Sequence, residues 1–100
     1  MPFFTYIIQS QSTTQLYIGQ TNNLQDRILR HNQNRNKWTK NKGPWKLIFA
    51  RQFETRAEAV QLERKLKSYK DKVYLLEWIS DQEDNLANPW RIALGLCKKS

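Results

Sequence analysis

The chain has 100 residues, 39% of them hydrophobic and twelve of them aromatic, which is enough for one domain around a single modest core. No apolar run approaches the ~20 residues that span a bilayer, the opening residues alternate apolar with polar, and the one cysteine, Cys97, excludes an internal disulfide or a cysteine-built zinc site. The formal charge is +8, so a cytoplasmic protein with a polyanionic partner and no membrane is expected.

Phe3 to Gln9 reads as a strand with apolar side chains on both faces, and hence as the centre of a sheet. Ser10 to Thr14 is turn material, and Gln15 to Gln20 is the return strand. Direct pairing of Tyr6 with Tyr17 across a two-residue loop, Gln11-Ser12, is the expected register. It puts both phenols on one face, an outcome that a register change of two preserves and a change of one destroys.

After Gly19 and a pair of asparagines able to cap a helix, residues 24–32 show helical spacing, with Leu24 and Ile28 one turn apart. Arg27 and His31 are also one turn apart and flank that stripe, so they stand at the edge of the surface it packs on. Residues 33–44 are rich in Asn, Lys and Arg and suit a loop lying along a phosphate backbone. From Trp45 to Phe53 a third strand is expected, with Trp45, Leu47, Phe49 and Phe53 on one side and Ile48 and Ala50 on the other.

Thr55-Arg-Ala-Glu58 is a capping box, and the helix it starts runs to Lys67 or Tyr69 with Ala59, Leu62 and Leu66 facing inward. Glu63 falls in the same stripe. A carboxylate on an inward face is costly unless it is paired or holds a cation. A further short helix covers Val73 to Ile79, an acidic surface turn covers Asp81 to Asp84, and Asn88-Pro89 can open a last short helix. The expected fold is therefore α+β: a three-stranded antiparallel sheet flanked by helices in the order β-β-α-β-α-α, occupying residues 1–79, with residues 80–100 as a C-terminal extension ending in a short helix.

The charge is concentrated. Residues 27–72 hold fourteen Lys and Arg against four acids, and between Arg27 and Lys46 there are seven bases and no acid. Arg30, Arg35, Lys37, Trp38, Lys40, Lys42 and Lys46 are the expected nucleic-acid contacts, since bases interleaved with tryptophan form a footprint for a polyanion. DNA is the expected partner, with RNA not excluded and no obligate protein partner evident. Hydrolysing a phosphodiester needs a base for water, a cation on the phosphate, and positive charge to meet the charge that develops on oxygen. Tyr17, Arg27, His31 and Glu63, with Tyr6 beside them, supply these roles, and Glu63 as a lone carboxylate suits Mg2+ or Mn2+. A buried Arg27–Glu63 salt bridge with a purely structural role is the competing reading for those two residues.

Phe4-Thr5-Tyr6, Tyr17-Ile18-Gly19, Asn23-Leu24-x-x-Arg27-x-x-x-His31, Thr39 with Pro44-Trp45-x-Leu47, and Thr55-Arg56-x-Glu58-Ala59 with Glu63-x-x-Leu66-Lys67 form an ordered series. Together they resemble the GIY-YIG nuclease superfamily, in particular its small stand-alone bacterial proteins. The resemblance implies metal-dependent endonucleolytic cutting of DNA that leaves 5′-phosphate and 3′-hydroxyl ends. It further implies Tyr17 as general base assisted by Tyr6, Arg27 on the phosphate, Glu63 on the metal and His31 supporting proton transfer. Phe-Thr-Tyr stands where the family name has Gly-Ile-Tyr, and Gln20 stands where repair-type members carry lysine. A nucleic-acid-binding module on the same scaffold, with little or no turnover, is the alternative.

Overall fold

A computed structural model describes residues 2–33, 39–82 and 85–86. Its elements are β1 (Phe3–Ser10), β2 (Leu16–Thr21), α1 (Leu24–Asn32), β3 (Trp45–Phe53), α2 (Arg56–Ser68) and α3 (Lys72–Ser80), in the order expected. The three strands form one antiparallel sheet in the order β2-β1-β3. The central place of β1 is what its two apolar faces require: Tyr6, Ile7 and Ile8 are all buried.

Each face of the sheet has its own core. On one, Ile7 and Phe49 pack with Leu66 of α2 and with Leu75 and Ile79 of α3. On the other, Tyr6, Ile8, Trp45 and Ala50 pack with Leu24 and Ile28 of α1. Local signals set the helix starts. The Asn23 side chain accepts from the Asp26 N–H at 3.0 Å, the Asp71 carboxylate accepts from the Val73 N–H at 2.9 Å, and Thr55 and Glu58 form the expected reciprocal box.

Two expectations about the strands are corrected. Tyr6 lies opposite Gly19, and Tyr17 lies opposite Ile8, a shift of two from direct pairing. The loop is correspondingly longer: the Ser10 N–H bonds the Gln15 carbonyl at 2.8 Å, and the Ser10 hydroxyl accepts from the Ser12 and Thr13 N–H groups inside the turn. The sides assigned to β3 are also wrong over half its length. Ile7 pairs with Phe49 but Ile8 with Leu47, so Ile48 is a bulge, and Ile48 and Phe49 both face α2 and α3 while Trp45, Leu47 and Ala50 face α1. A bulge inserts one residue into the period of two, and every side chain beyond it changes face.

The described residues that follow α3 return to the outer edge of β3. The Asn85 side chain accepts from the Ala50 N–H at 2.9 Å and donates to the Ile48 carbonyl at 2.9 Å, while the Leu86 N–H donates to the Ala50 carbonyl at 2.9 Å. The helix expected from Asn88-Pro89 lies outside the described residues.

Candidate active site

The face of the sheet that carries α1 gathers four of the five expected catalytic side chains. Tyr6 comes from β1 and Tyr17 from β2, their rings 6.3 Å apart. The shifted register leaves both phenols on one face, because the shift is by two. Gly19 explains why the strands settle there. A Cβ built on Gly19 would lie 2.7 Å from the Tyr6 hydroxyl and 2.9 Å from its ring carbon, so only glycine leaves room for the phenol opposite it. At Gly43 the same construction meets nothing nearer than 3.5 Å.

Gly19→Ala is accordingly expected to cost about 1–3 kcal/mol, the range for overpacking a fitted interior. The backbone at Gly19 is not in the left-handed region, so the cost is one of space alone. A fall in the urea unfolding midpoint at unchanged slope checks this. A neutral or stabilising result would show that Tyr6, 1% exposed, has somewhere to move.

His31 comes from the last turn of α1 and is fully buried. Its Nε2 lies 3.0 Å from the Tyr6 hydroxyl and its Nδ1 2.7 Å from the Thr39 hydroxyl. The imidazole lies 4.8 Å from the Tyr17 ring, tilted by 58° to it. Thr39 is held in turn by Trp45, whose indole N–H donates to the Thr39 carbonyl at 3.2 Å. With a neutral ring, one nitrogen donates and the other accepts, so Tyr6, His31 and Thr39 form a single polarised chain. Burial, with the Arg27 charge as a second cause, lowers the imidazole from its ordinary 6.5 to about 4, and it is therefore neutral at neutral pH. Burial also pushes the Tyr6 phenol up; the Tyr17 and Glu63 charges add to the rise and Arg27 opposes it.

Arg27 lies one turn before His31, and its charge reaches both His31 and Tyr6. Its Nε–H is buried with no hydrogen-bond partner among the described residues. A guanidinium N–H sealed from water without an acceptor is costly, and a ligand oxygen is the natural way to satisfy it. Glu63 does not pair with Arg27: its ion-pair partner is Lys67, one turn along α2, at 2.7 Å. The competing structural bridge is therefore absent. Glu63 is 19% exposed and Lys67 55%, so the half-buried carboxylate is met by a counter-charge on an exposed stem. Its charge is one of the causes that push the Tyr6 phenol up.

Of the expected nucleic-acid contacts, Arg30 is engaged with Asp26 at 3.1 Å on the exposed side of α1, a pair worth little in water. Lys40 and Lys46 are exposed, and Lys42 is half-buried, its carbonyl holding the Ser10 and Ser12 hydroxyls. Arg35, Lys37 and Trp38 lie outside the described residues. Three roles were missed: Gly19 as the space for Tyr6, and Thr39 and Trp45 as the support for His31. Gly19, Thr39 and Trp45 all belong to the ordered motif series, but a lone Thr in a basic loop carries no local sign of its partner. Gln20 accepts from Arg56 at 3.2 Å and so ties β2 to the start of α2.

A central antiparallel sheet with paired phenols, an imidazole and an arginine on one face defines a domain of the GIY-YIG nuclease superfamily. The GIY-YIG catalytic domain model matches residues 2–82, and the chain belongs to that family. It is 36% identical over 84 residues to the UPF0213 protein YazA of Bacillus subtilis, covering 80% of this chain and 84% of that one. It is 35% identical over 85 residues to the UPF0213 protein CPE1444 of Clostridium perfringens, covering 82% and 90%. The solution NMR structure of the UPF0213 protein BH0048 from Bacillus halodurans shares the fold, with a TM-score of 0.55 at 22% identity over 97% of this chain and 98% of that one. No helix among the described residues is long and apolar enough to cross a membrane.

Proposed function

We propose that the protein is a divalent-metal-dependent endonuclease that hydrolyses phosphodiester bonds in DNA. The observation that carries this reading is the buried, unpartnered Nε–H of Arg27, set beside two phenols and a neutral imidazole. A phosphate oxygen would satisfy that N–H, and the guanidinium would neutralise charge as it develops on the phosphorus oxygens.

The donor set fits a hard cation. Glu63 offers a carboxylate whose present partner is a displaceable lysine, and among the described residues no group of three or more His, Cys, Asp and Glu forms a closed cage. Such a lone carboxylate suits Mg2+ or Mn2+, which keep several waters and take further ligands from the phosphate. When bound, the ion supplies Lewis-acid charge at the scissile phosphate. This chain's own residues do the rest. Tyr17, acting as the phenolate, takes a proton from the attacking water, its ring 4.8 Å from that of His31. Tyr6 is fixed by its bond to His31 Nε2 and His31 by its bond to Thr39, so the buried chain holds the Tyr6 phenol in place beside Tyr17. The water oxygen bonds to phosphorus as the P–O3′ bond breaks, and the departing O3′ takes a proton from solvent water, leaving a 5′-phosphate and a 3′-hydroxyl.

A metal titration against nicked, flapped, forked and fully paired DNAs tests the reading. Cleavage is expected with Mg2+ or Mn2+, and none is expected in EDTA. Cutting that needs no metal would overturn the assignment of Glu63. Salt-dependent binding without cutting on any substrate would select the alternative, a binding module on a nuclease scaffold.

A further inference from the structure

Beside the site, between β2 and the turn that joins α2 to α3, lies an open cleft of about 460 Å³. Its floor is apolar, with Leu16 and Leu75, and its walls include Tyr17, Tyr69 and three lysines, Lys67, Lys70 and Lys72. Resting on the nuclease reading above, we propose that this cleft takes an unpaired nucleic-acid strand adjoining the scissile phosphate, so that the protein prefers branched over fully paired substrates.

Three observations support it. First, the cleft shares residues with the candidate active site: Tyr17 lines it, and Lys67, which also lines it, is the ion-pair partner of Glu63. A cation arriving at Glu63 would release Lys67 toward a strand phosphate. Second, the charge is one-signed. No acidic side chain lines the cleft, and Asp71, between Lys70 and Lys72, is occupied as the cap of α3. Lys72 spans the opening, its Nζ donating to the Thr14 hydroxyl of the β1–β2 loop at 2.9 Å. Third, the rim is aromatic. Tyr69 stands edge-on to Tyr74 at 5.0 Å, and Tyr74 is 51% exposed. Lysines along a groove with aromatic rings at its lip are the physical means by which proteins hold single strands, phosphates on the lysines and nucleobases on the rings. A duplex presents no free base face and gains nothing from the rings.

The test is fluorescence anisotropy in EDTA, where cutting does not interfere, with a fork carrying an unpaired arm and a fully paired duplex of the same length. Lys70→Ala/Lys72→Ala is compared with wild type, with Lys65→Ala on the exposed side of α2 as a control. Both replaced lysines are exposed, so the fold is expected to stand, and circular dichroism checks that it does. The double variant is expected to bind the fork about tenfold more weakly, with a log–log salt dependence shallower by roughly 1.4, or ~0.7 for each single-strand phosphate no longer neutralised. Its duplex binding is expected to stay nearly the same, and Lys70→Arg/Lys72→Arg to retain the fork preference. Wild type that binds forks and duplexes alike, or a double variant whose fork affinity and salt slope match wild type, would overturn the cleft while leaving the nuclease reading standing. Wild type that binds neither nucleic acid would remove both.

Discussion

Glu63→Gln is expected to lower cleavage by roughly 10²- to 10³-fold, the loss typical of removing one preorganised electrostatic group from a hydrolytic site. Gln keeps the shape and one acceptor oxygen but not the charge that holds a divalent cation. The structural consequence should be small, because among the described residues the one ion pair Glu63 makes is to a lysine 55% exposed, and pairs of that kind contribute at most about 1 kcal/mol. Binding measured in EDTA should therefore match wild type, and so should the thermal midpoint. This separates a lost cation ligand from a damaged fold. Full cleavage by Glu63→Gln would mean that the carboxylate serves only to hold Lys67 in place.

Acidification is expected to unfold the protein in step with His31. The sign follows from the direction of the shift. Burial lowers the folded imidazole to about 4 while the unfolded chain titrates near 6.5, so between those values the unfolded state binds more protons and stability rises with pH. His31 thus contributes its full stabilisation above pH 6.5, loses it progressively as pH falls, and has lost about 3 kcal/mol by pH 4. A urea series from pH 7 to pH 4.5 checks this against His31→Gln, whose amide can still reach hydroxyl partners but does not titrate in the window. Wild type should lose the greater share of its stability, and parallel curves for the two proteins would place the acid-labile group elsewhere. The same burial that makes His31 acid-labile keeps it neutral and able to accept a hydrogen bond from the Tyr6 hydroxyl at neutral pH.

The elements themselves were readable because each rests on a local signal. A run apolar on both faces marks β1, Trp45 to Phe53 reads as β3, Asn23 and the Thr55–Glu58 box mark the helix starts, and Leu24/Ile28 and Ala59/Leu66 mark the inward stripes. What escaped reading depends on contacts between distant segments. The hairpin register turns on whether Gly19 or Tyr17 faces the Tyr6 phenol, a matter of free volume that no turn signal encodes. The bulge at Ile48 is invisible to a pattern that assumes one uninterrupted period, and it reverses the faces of half a strand. The site was legible as a set of residue types on adjoining elements, so Tyr6, Tyr17, Arg27 and His31 were placed together. Its wiring was not: Thr39 as the partner of His31 Nδ1, and Lys67 rather than Arg27 as the partner of Glu63, each require the folded distances.

The amide of Asn85 gives the sheet a property that its strands lack by themselves. β3 is an outer strand, and at its bulged midpoint both the Ala50 and Ile48 backbone groups that point outward are already taken, by Asn85 and Leu86. Another molecule trying to zip onto that border would first have to evict the chain's own later residues and reach past an irregular stretch. Asn85 and Leu86 thereby act as a selvedge, stopping growth from the side where a naked strand invites accretion.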